Sequence, residues 1–400
     1  MTGSWHAVTA LVGILVLMSL VSFVLGQLAT HRHFAKKALP ALPEPRPKVS
    51  ILKPVEGAGP NTYEAFASFC RIDYPGEMEM LIGTIRQNDP VVAIVERLRA
   101  EFPQRDIRLL FAELKGTNRK TSIMEAMWRD ARGEFLFFSD ADVVVPKDYL
   151  RQLVPRLAQP EVGCLTCLPR GIEARTVGSK MIALHYDFNF LSQWMLAQQT
   201  TGIHWAIGHT MAVPGAVLEK LGGFRKFLNH LADDYELGHR VSQLGLRVIV
   251  SPLLLDCVMQ QESFADSFVR MQRWKHTIRR SRGLPFLGIL ITYPVFWALI
   301  LALLQPLAWW SWSALLAVVL VRWLAAAGLQ QIVKMPDWPR AWWLLPVVDV
   351  VEGITCFGAY LGNSISWAGY RYWLLRDGTL ELAVLRTRQE TSEPTTATKY

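Results

Sequence analysis

Runs of apolar residues divide the chain into membrane-like ends and a soluble middle. Residues 7–28 contain no charged side chain and are long enough to cross a bilayer as a helix. Residues 286–333 and 341–365 are also dominated by Leu, Ile, Val, Trp and Ala, whereas residues 36–282 have the polarity of a soluble domain. The pattern predicts one transmembrane helix before, and about three after, a globular domain of roughly 240 residues.

Short apolar runs alternate with amphipathic segments in the first part of the soluble region. The pattern predicts strands at 49–52, 78–85, 107–111 and 135–138, and helices at 63–70, 90–102 and 120–132. The strands are nearly continuous apolar runs, which is typical of a parallel sheet covered on both faces by helices. We therefore predict an α/β domain with a mostly parallel central sheet.

Basic residues beside the apolar segments predict the orientation of the chain. Arg32, with two histidines, follows the first segment, and Arg279, Arg280 and Arg282 precede the next. The positive-inside bias places these ends, and with them the soluble domain, in the cytoplasm. A cleaved signal peptide is the alternative for the first segment, but its apolar run is longer than a signal core and no Lys or Arg precedes it.

These patterns divide the chain into six segments. We predict an N-terminal transmembrane helix at 1–30, a Pro-rich linker at 31–47, a cytoplasmic domain at 48–263, a basic amphipathic interface helix at 264–285, transmembrane or re-entrant helices at 286–365 and a polar tail at 366–400. Four complete spans would place both termini outside. Arg371, Arg376, Arg386 and Arg388 argue against that topology, so one segment is a candidate re-entrant loop.

Charge and cysteine content fit a cytoplasmic membrane protein. The formal net charge is +8, and much of the excess flanks the apolar segments, so anionic lipid explains it better than nucleic acid. Cys164 and Cys167 have redox or zinc spacing, but no second pair accompanies them. Buried free thiols in a reducing compartment are the better interpretation of the five cysteines.

Acidic residues follow two of the predicted strands. Asp89 follows the second strand, and Asp140 and Asp142 follow the fourth. Ligands of parallel sheets bind beyond the carboxyl ends of the strands. Asp-x-Asp suits Mg²⁺ or Mn²⁺ with a nucleotide diphosphate, although surface turn residues before Pro146 are the plainer alternative. The chain has neither the Gly-x-x-x-x-Gly-Lys-Ser/Thr loop nor the Gly-x-Gly-x-x-Gly turn, so metal and side chains would have to hold the phosphates.

A second acidic pair and a basic motif follow later in the chain. Asp233 and Asp234 open a predicted helix; one aspartate suffices as a helix cap, and the other is a candidate general base. Arg270, Arg273 and Trp274 form an Arg-x-x-Arg-Trp motif on the basic helix. That helix would lie on the membrane, and its guanidinium groups suit a leaving diphosphate.

Together these motifs resemble the metal-dependent inverting glycosyltransferases with the GT-A (nucleotide-diphospho-sugar transferase) fold. "VSILKPVEG", "IDYP", "NDP", "GHTMAVP" and "DDYELG" are similar to segments of the ceramide glucosyltransferases, and within that branch the chain looks most like the bacterial hopanoid-biosynthesis glycosyltransferases. The resemblance covers about residues 48–285, and the flanking membrane segments fit it as well.

The resemblance implies a role for each motif residue. Asp89 would contact the nucleoside, Asp140 and Asp142 would bind metal and diphosphate, and Asp234 would be the catalytic base. Arg270, Arg273 and Trp274 would close over the diphosphate, with Trp274, Asp233 and His209 on the acceptor side; a packed loop histidine is an equal alternative for His209. Animal ceramide enzymes carry a single Asp at the strand end, so the division of metal ligation between Asp140 and Asp142 stays open.

The implied activity is transfer of one sugar, glucose or N-acetylglucosamine, from a UDP-sugar to a primary hydroxyl of a hopanoid polyol or ceramide. The cofactor would be Mg²⁺ or Mn²⁺, and the location the bacterial inner membrane, with no nucleic-acid partner. Two alternatives stay open: a processive polysaccharide synthase of the same fold, and a non-enzymatic transporter or receptor with a sensor domain. Asp349 and Glu352, acidic residues in the last apolar segment, would either bind acceptor hydroxyls or mark a segment that does not fully cross.

Overall fold

A computed structural model describes residues 2–35, 40–336, 338–367 and 369–384. The chain forms two compact units. The helical unit comprises Met1–Lys37, Arg170–Gly202 and Met259–Gly362. The sheet unit comprises Ala38–Pro169, Ile203–Val258 and Asn363–Tyr400.

Eleven strands and fifteen α-helices are present in the described residues. The strands β1–β11 are Val49–Pro54, Met78–Thr84, Asp106–Phe111, Phe135–Ser139, Val143–Val144, Val162–Ile172, Thr210–Pro214, Arg247–Val258, Ser364–Trp367, Tyr370–Leu374 and Leu380–Val384. The helices α1–α15 are Thr2–Phe34, Thr62–Cys70, Val91–Glu101, Arg119–Asp130, Tyr149–Leu157, Val177–Leu184, Leu191–Thr200, Gly215–Leu221, Asp233–Gln243, Phe264–Arg282, Leu287–Leu290, Pro294–Leu304, Trp309–Val333, Trp338–Ala341 and Leu345–Gly358. A π-helix, His185–Phe190, joins α6 to α7.

The sheet unit is built on an eight-stranded sheet with the order β3-β2-β1-β4-β7-β6-β8-β5. β1 pairs in parallel with β2 and β4, and β2 pairs in parallel with β3. The predicted mostly parallel sheet is confirmed, because the four strands found from their apolar runs form this parallel half. β4–β7, β6–β7 and β5–β8 are antiparallel pairs.

Two features of the sheet bring its functional loops together. β1, β2 and β4 are parallel neighbours, so the residues after Pro54, Thr84 and Ser139 lie along one edge. β7 runs antiparallel to β4, with Ser139 opposite Thr210. The residues just before β7 therefore lie beside those just after β4.

The helical unit corrects two predicted boundaries. α1 continues to Phe34, beyond the predicted end at residue 30, because no Pro or Gly interrupts the helix there. Residues 170–202, predicted as part of a continuous domain over 48–263, belong to the helical unit. Their packing gives the reason: the Gln27 amide of α1 donates to Ser192 Oγ of α7 at 2.9 Å, and a Cβ on Gly26 would lie 2.8 Å from Ser192 O.

The C-terminal segment gives a third correction. A polar tail was predicted at 366–400, but β9, β10 and β11 form a three-stranded antiparallel sheet in the sheet unit. Leu231 packs with buried side chains of this sheet, namely Ile365, Tyr372, Leu374 and Leu380. Residues 385–400 of the predicted tail lie outside the described residues.

Three helical stretches of the described chain are long and apolar enough to cross a membrane: Trp5–Phe34, Trp309–Val333 and Trp338–Gly358. Leu284–Leu290 and Pro294–Leu304 pass the same test together but are bent by 71°, as in a broken span or a re-entrant loop. The five cysteines are free and buried, as predicted.

Candidate active site

The Asp-x-Asp turn lies at the end of a buried strand. β4 is apolar and buried up to Ser139, and Asp140 and Asp142 follow it directly. The Asp140 amide donates to His209 O at 3.3 Å, and the Val258 amide donates to Asp142 O at 3.0 Å. These main-chain bonds fix the turn between the residues preceding β7 and the end of β8.

Lys120 links the two acidic motifs. Its Nζ lies 2.6 Å from Asp140 Oδ1 and 3.6 Å from Asp233 Oδ2. Burial lowers the pKa of Lys120, but the carboxylates of Asp140 and Asp233 outweigh it and raise the pKa above its ordinary value. The ammonium group therefore stays charged and offsets part of the acidic cluster.

Sequence reasoning did not identify Lys120. It lies in the first turn of α4, where a lysine is ordinarily solvated. The available signal was topological: α4 follows the parallel strand β3, so its N-terminus lies at the edge where β4 ends. Asn118 caps the helix by accepting from the Thr121 amide at 3.0 Å, and its side-chain amide donates to His230 O at 2.7 Å.

Lys53 is a second cation that sequence reasoning did not identify. It is fully buried in β1, and its Nζ donates to Asp140 O and, at 3.3 Å, to Ser139 Oγ. The Phe69 ring lies 4.1 Å from the ammonium nitrogen. Burial lowers the pKa of Lys53 to about 7, against the raising effect of Asp142 and Asp140. The sequence signal was a charged residue inside the apolar run "VSILKP".

Asp234 is held at the start of α9 by main-chain amides. Its Oδ2 accepts from the Gly208 amide at 3.0 Å, and its Oδ1 accepts from the Tyr235 amide at 2.7 Å. Burial and the neighbouring charge of Asp233 raise the pKa of Asp234 to about 6. At neutral pH the carboxylate is therefore mostly ionised, yet more basic than an ordinary aspartate, as a general base requires.

The polar side chains converge on Gly208. A Cβ built on this glycine would lie 3.2 Å from Lys120 Nζ, 3.6 Å from Asp234 Oδ2 and 3.8 Å from Asp140 Oδ2. The structure thus brings the strand-end acid, the helix-start acid and a lysine together around one residue without a side chain. His209 is also close, since a positive charge on it lowers the pKa of Asp140 and of Asp142.

The two aspartates of the turn differ in their surroundings. Burial raises the pKa of Asp140, but Lys120 and His209 outweigh it and bring the pKa below the ordinary value. Burial and the charge of Asp140 raise the pKa of Asp142. Asp142 Oδ1 is buried and accepts no hydrogen bond from the described residues. An added cation would therefore stabilise the ionised form of Asp142 more than that of Asp140.

A divalent cation fits this donor set. Mg²⁺ is commonly held by one or two protein carboxylates together with water and substrate phosphate oxygens. Asp140 and Asp142 offer that number, and the buried oxygen of Asp142 is available. No group of three or more His, Cys, Asp or Glu side chains within the described ranges could hold a metal by itself. Asp140 and Asp142 therefore suit a metal ion that is coordinated by the protein and by a substrate diphosphate together.

Asp89 lies at the same edge of the sheet, but its carboxylate is occupied. It is 2% exposed and accepts from the Gly57 amide at 2.8 and 3.0 Å, the Val91 amide at 3.0 Å and Thr84 Oγ1 at 3.2 Å. Arg86 pairs with it at 3.1 Å. In this structure Asp89 ties the loop after β1 to the end of β2, and its predicted nucleoside contact stays a prediction.

The basic motif lies on α10 in the helical unit. Arg270 pairs with Glu262 at 3.0 Å. Burial and the charge of Arg270 lower the pKa of Arg273 to about 10, so the guanidinium stays charged at neutral pH. The Trp274 ring stacks on His185 and Tyr186 of the π-helix, with ring centroids 5.3 and 5.7 Å apart.

Comparison with known families decides the classification. The family model described as glycosyl transferase family 21 matches residues 14–380 of this chain. The chain belongs to glycosyl transferase family 21. The match includes the acidic cluster, the basic motif and the candidate membrane helices. Family membership therefore applies to the sequence of both units.

Curated relatives of this family 21 chain are named as lipid glucosyltransferases. Beta-monoglucosyldiacylglycerol synthase of Synechocystis sp. is 24% identical over 329 residues, covering 80% of this chain and 63% of the relative. Ceramide glucosyltransferase 1 of Caenorhabditis elegans is 24% identical over 246 residues, covering 58% of this chain and 50% of the relative. The chain thus spans between half and two thirds of the length of these relatives.

A solved structure shares the fold. A mannosyltransferase from Pyrobaculum calidifontis, solved in complex with GDP-Man and Mn²⁺, superposes with a TM-score of 0.51 and 21% identity. The alignment covers 87% of this chain and 99% of that chain. The GT-A-like glycosyltransferase fold predicted from the sequence is confirmed.

Gly238 offers a test of the local geometry. A Cβ there would lie 2.4 Å from Ala206 N and 2.4 Å from Trp205 Cα, which are backbone atoms. Gly238→Ala is expected to push α9 away from residues 205–206 and to cost about 1–3 kcal/mol of unfolding free energy through overpacking. Thermal unfolding checks this, with the exposed Gln243→Ala on the same helix as a control. Equal melting temperatures for the two variants would contradict the close approach.

Proposed function

We propose that this family 21 chain transfers one sugar from a UDP-sugar to a primary hydroxyl of a membrane lipid, with inversion at the anomeric carbon. The observation that carries the proposal is the position of Asp234, a carboxylate of raised pKa held by the Gly208 amide beside the Lys120–Asp140 pair. The names of the lipid glucosyltransferase relatives support a lipid acceptor. The candidate spans support a location in a bilayer. We propose that this is the inner membrane of a bacterial cell, with the sheet unit in the cytoplasm, from the positive-inside bias of Arg279, Arg280 and Arg282.

The proposed reaction is a single displacement. The acceptor oxygen forms a bond to the anomeric carbon while the bond from that carbon to the diphosphate oxygen breaks, and the hydroxyl proton passes to Asp234 Oδ. One carboxylate suffices for this step, because the leaving diphosphate departs as an anion and takes no proton from the enzyme. Attack opposite to the leaving group converts an α-linked donor into a β-linked product.

The remaining residues of the cluster bind and orient the reactants. Asp140 and Asp142 would hold a divalent cation, which when bound offsets negative charge on the diphosphate. Lys120 keeps a fixed positive charge between Asp140 and Asp233, in a position to balance charge that develops nearby. Asp233 and His209 retain their proposed place on the acceptor side, and Arg270, Arg273 and Trp274 their proposed contacts with the leaving diphosphate.

The raised pKa of Asp234 predicts an acid limb in the pH profile. The base acts only when ionised, so kcat/KM should fall about tenfold per pH unit below about pH 6 and level off above it. An ordinary aspartate would place this limb near pH 4. The initial rate at low donor concentration from pH 4.5 to 8 checks the position. A flat profile down to pH 4.5 would contradict the assignment.

Substrate identity is tested with purified protein in lipid vesicles. UDP-glucose and UDP-N-acetylglucosamine are each combined with vesicles containing ceramide or a hopanoid polyol, with Mg²⁺ or Mn²⁺, and products are read by mass spectrometry. The proposal predicts a mass increase of one sugar on at least one acceptor. A ladder of polymers would instead identify a processive polysaccharide synthase. Intact donor in every mixture would contradict transferase activity on these substrates.

A further inference from the structure

A buried polar network occupies the helical unit at the last candidate span. Glu352 of α15 is fully buried. Its Oε2 accepts from Lys275 Nζ at 2.9 Å and from the Tyr293 hydroxyl at 2.7 Å. Its Oε1 lies 2.8 Å from His185 Nδ1 and accepts from the Asn189 amide at 2.8 Å. Both carboxylate oxygens are therefore occupied by side chains of the chain itself.

This arrangement revises one sequence-based alternative. Asp349 and Glu352 were candidates for binding acceptor hydroxyls, but Asp349 is paired with Arg322 at 3.0 Å and Glu352 has four partners. Burial of a charge is costly without such partners. Because the carboxylate groups are already occupied by these partners, we interpret them as structural groups and not as binding sites for an acceptor.

Two of its partners come from the π-helix His185–Phe190. π-helices are rare and frequently occur at functional sites. Here His185 and Asn189, four residues apart, both reach Glu352 Oε1. Glu352 thus fixes the orientation of the His185 ring.

The oriented ring of His185 in turn supports the tryptophan of the basic motif. The Trp274 and His185 rings stack with centroids 5.3 Å apart and an interplanar angle of 25°. Tyr186 stacks on Trp274 at 5.7 Å and 29°. The residue after Trp274 is Lys275, whose ammonium group binds Glu352 directly. The carboxylate therefore holds Trp274 twice, through the stacked imidazole and through the adjacent lysine.

We propose that Glu352 is a positioning residue for Trp274, so that the segment Trp338–Gly358 sets the geometry of the Arg-x-x-Arg-Trp motif. The inference rests on the proposed function, in which Trp274 and Arg273 contact the leaving diphosphate and the acceptor. Small displacements of positioning groups cost catalysis disproportionately, about 100-fold for a shift of about 1 Å. A residue of an apolar, membrane-like segment would thereby control turnover without touching either substrate.

Asp349 provides a matched control. It lies three residues before Glu352 on the same helix, is 1% exposed and is ion-paired with Arg322. It shares Asn189 with Glu352, but its contacts with the described residues do not include His185 or Lys275, the two groups through which Glu352 holds Trp274. Glu352→Gln is expected to lower kcat about 30- to 100-fold with a smaller change in the donor KM. Asp349→Asn is expected to change kcat less than about threefold, although it also removes a buried charge.

The double variant Glu352→Gln with Lys275→Met separates positioning from charge balance. It removes both members of the buried pair, so thermal stability should recover relative to Glu352→Gln alone. If Glu352 acts through His185 and Trp274, kcat stays low in the double variant. His185→Phe keeps an aromatic ring that can stack on Trp274 but cannot form a hydrogen bond to Glu352. This variant should show the same loss in kcat as Glu352→Gln.

A spectroscopic readout tests the position of the ring without any turnover. Protein labelled with fluorotryptophan is examined by ¹⁹F NMR, and the Trp274 resonance is assigned from its loss in Trp274→Phe. The resonance is expected to shift in Glu352→Gln and to stay in place in Asp349→Asn. An unshifted resonance, or a double variant with restored kcat, would overturn the positioning role. Absence of turnover in the wild type would count against the proposed function alone, because the NMR comparison remains valid.

Discussion

Asp234→Asn is expected to lower kcat by about 10³-fold while leaving the protein folded. The amide has the shape of the carboxylate and keeps an oxygen that accepts from the Gly208 amide, but it cannot take the proton of an acceptor hydroxyl. Loss of the charge also relieves repulsion from Asp233, which contributes to the raised pKa of Asp234. Asn has only one side-chain oxygen, however, so one of the two bonds from the Gly208 and Tyr235 amides is lost. The two effects oppose each other, and the melting temperature should stay close to that of the wild type.

The measurement is the initial rate of sugar transfer to lipid at saturating donor. Glu236→Gln is the matched control, since Glu236 lies two residues further along α9 and pairs with Arg240 at 3.0 Å rather than with a residue of the acidic cluster. This variant removes a charge from the same helix and should retain nearly full activity. Turnover close to normal in folded Asp234→Asn would remove the base assignment.

Asp142→Asn is expected to weaken Mn²⁺ binding by at least about tenfold and to lower kcat/KM by more than about 100-fold. The reason is the buried Oδ1 of Asp142, which accepts no hydrogen bond from the described residues and whose carboxyl pKa is raised by burial and by Asp140. The amide relieves this repulsion, so the variant should be no less stable than the wild type. Lost activity would then reflect lost cation binding.

Mn²⁺ affinity is measured by electron paramagnetic resonance or calorimetry in the presence of UDP. Asp148→Asn serves as the control, because Asp148 is exposed at the start of α5, a few residues after the turn. Unchanged Mn²⁺ affinity in Asp142→Asn would contradict ligation by this residue. If instead Asp140→Asn alone abolished binding, the cation would rest on Asp140, and the two variants together resolve how ligation is divided.

The sequence predicted the parallel half of the sheet closely. The apolar runs locate β1, β2 and β4 because these strands are buried, so hydrophobic pattern and structure coincide. The edge strand β3 is only partly buried. The strand ends then followed, and with them the positions of Asp140 and Asp89 at one edge. The helix that begins at Asp233 was also predicted, because an acidic pair before an amphipathic segment is a local signal.

Other parts of the site depend on contacts that no local pattern contains. Lys120 looks like a solvated lysine until α4 is placed beside the end of β4. The sequence of residues 170–202 has the polarity of an ordinary soluble domain. Only three-dimensional packing, such as the bond between Ser192 and Gln27 of α1, assigns these residues to the helical unit. The partners of Glu352 come from segments up to 167 residues away in sequence.

The C-terminal sheet is different, because the sequence does contain a local signal for it. Asp377-Gly378 between two short runs of β-forming residues is a hairpin signal. The resulting strands matter for the site: Leu231 N donates to Gly378 O at 3.1 Å, and Leu380 N donates to Asn229 O at 2.7 Å. These bonds anchor the segment immediately before Asp233 and Asp234.

The configuration and length of the product test the proposed inverting transfer most directly. Wild-type protein in vesicles with its best UDP-sugar and acceptor is analysed by mass spectrometry and by the anomeric proton coupling in NMR. Inverting transfer of one sugar predicts a single β-linked sugar on the primary hydroxyl of the lipid, formed from an α-linked donor. An α-linked product, or release of free sugar with the lipid unmodified, would contradict it.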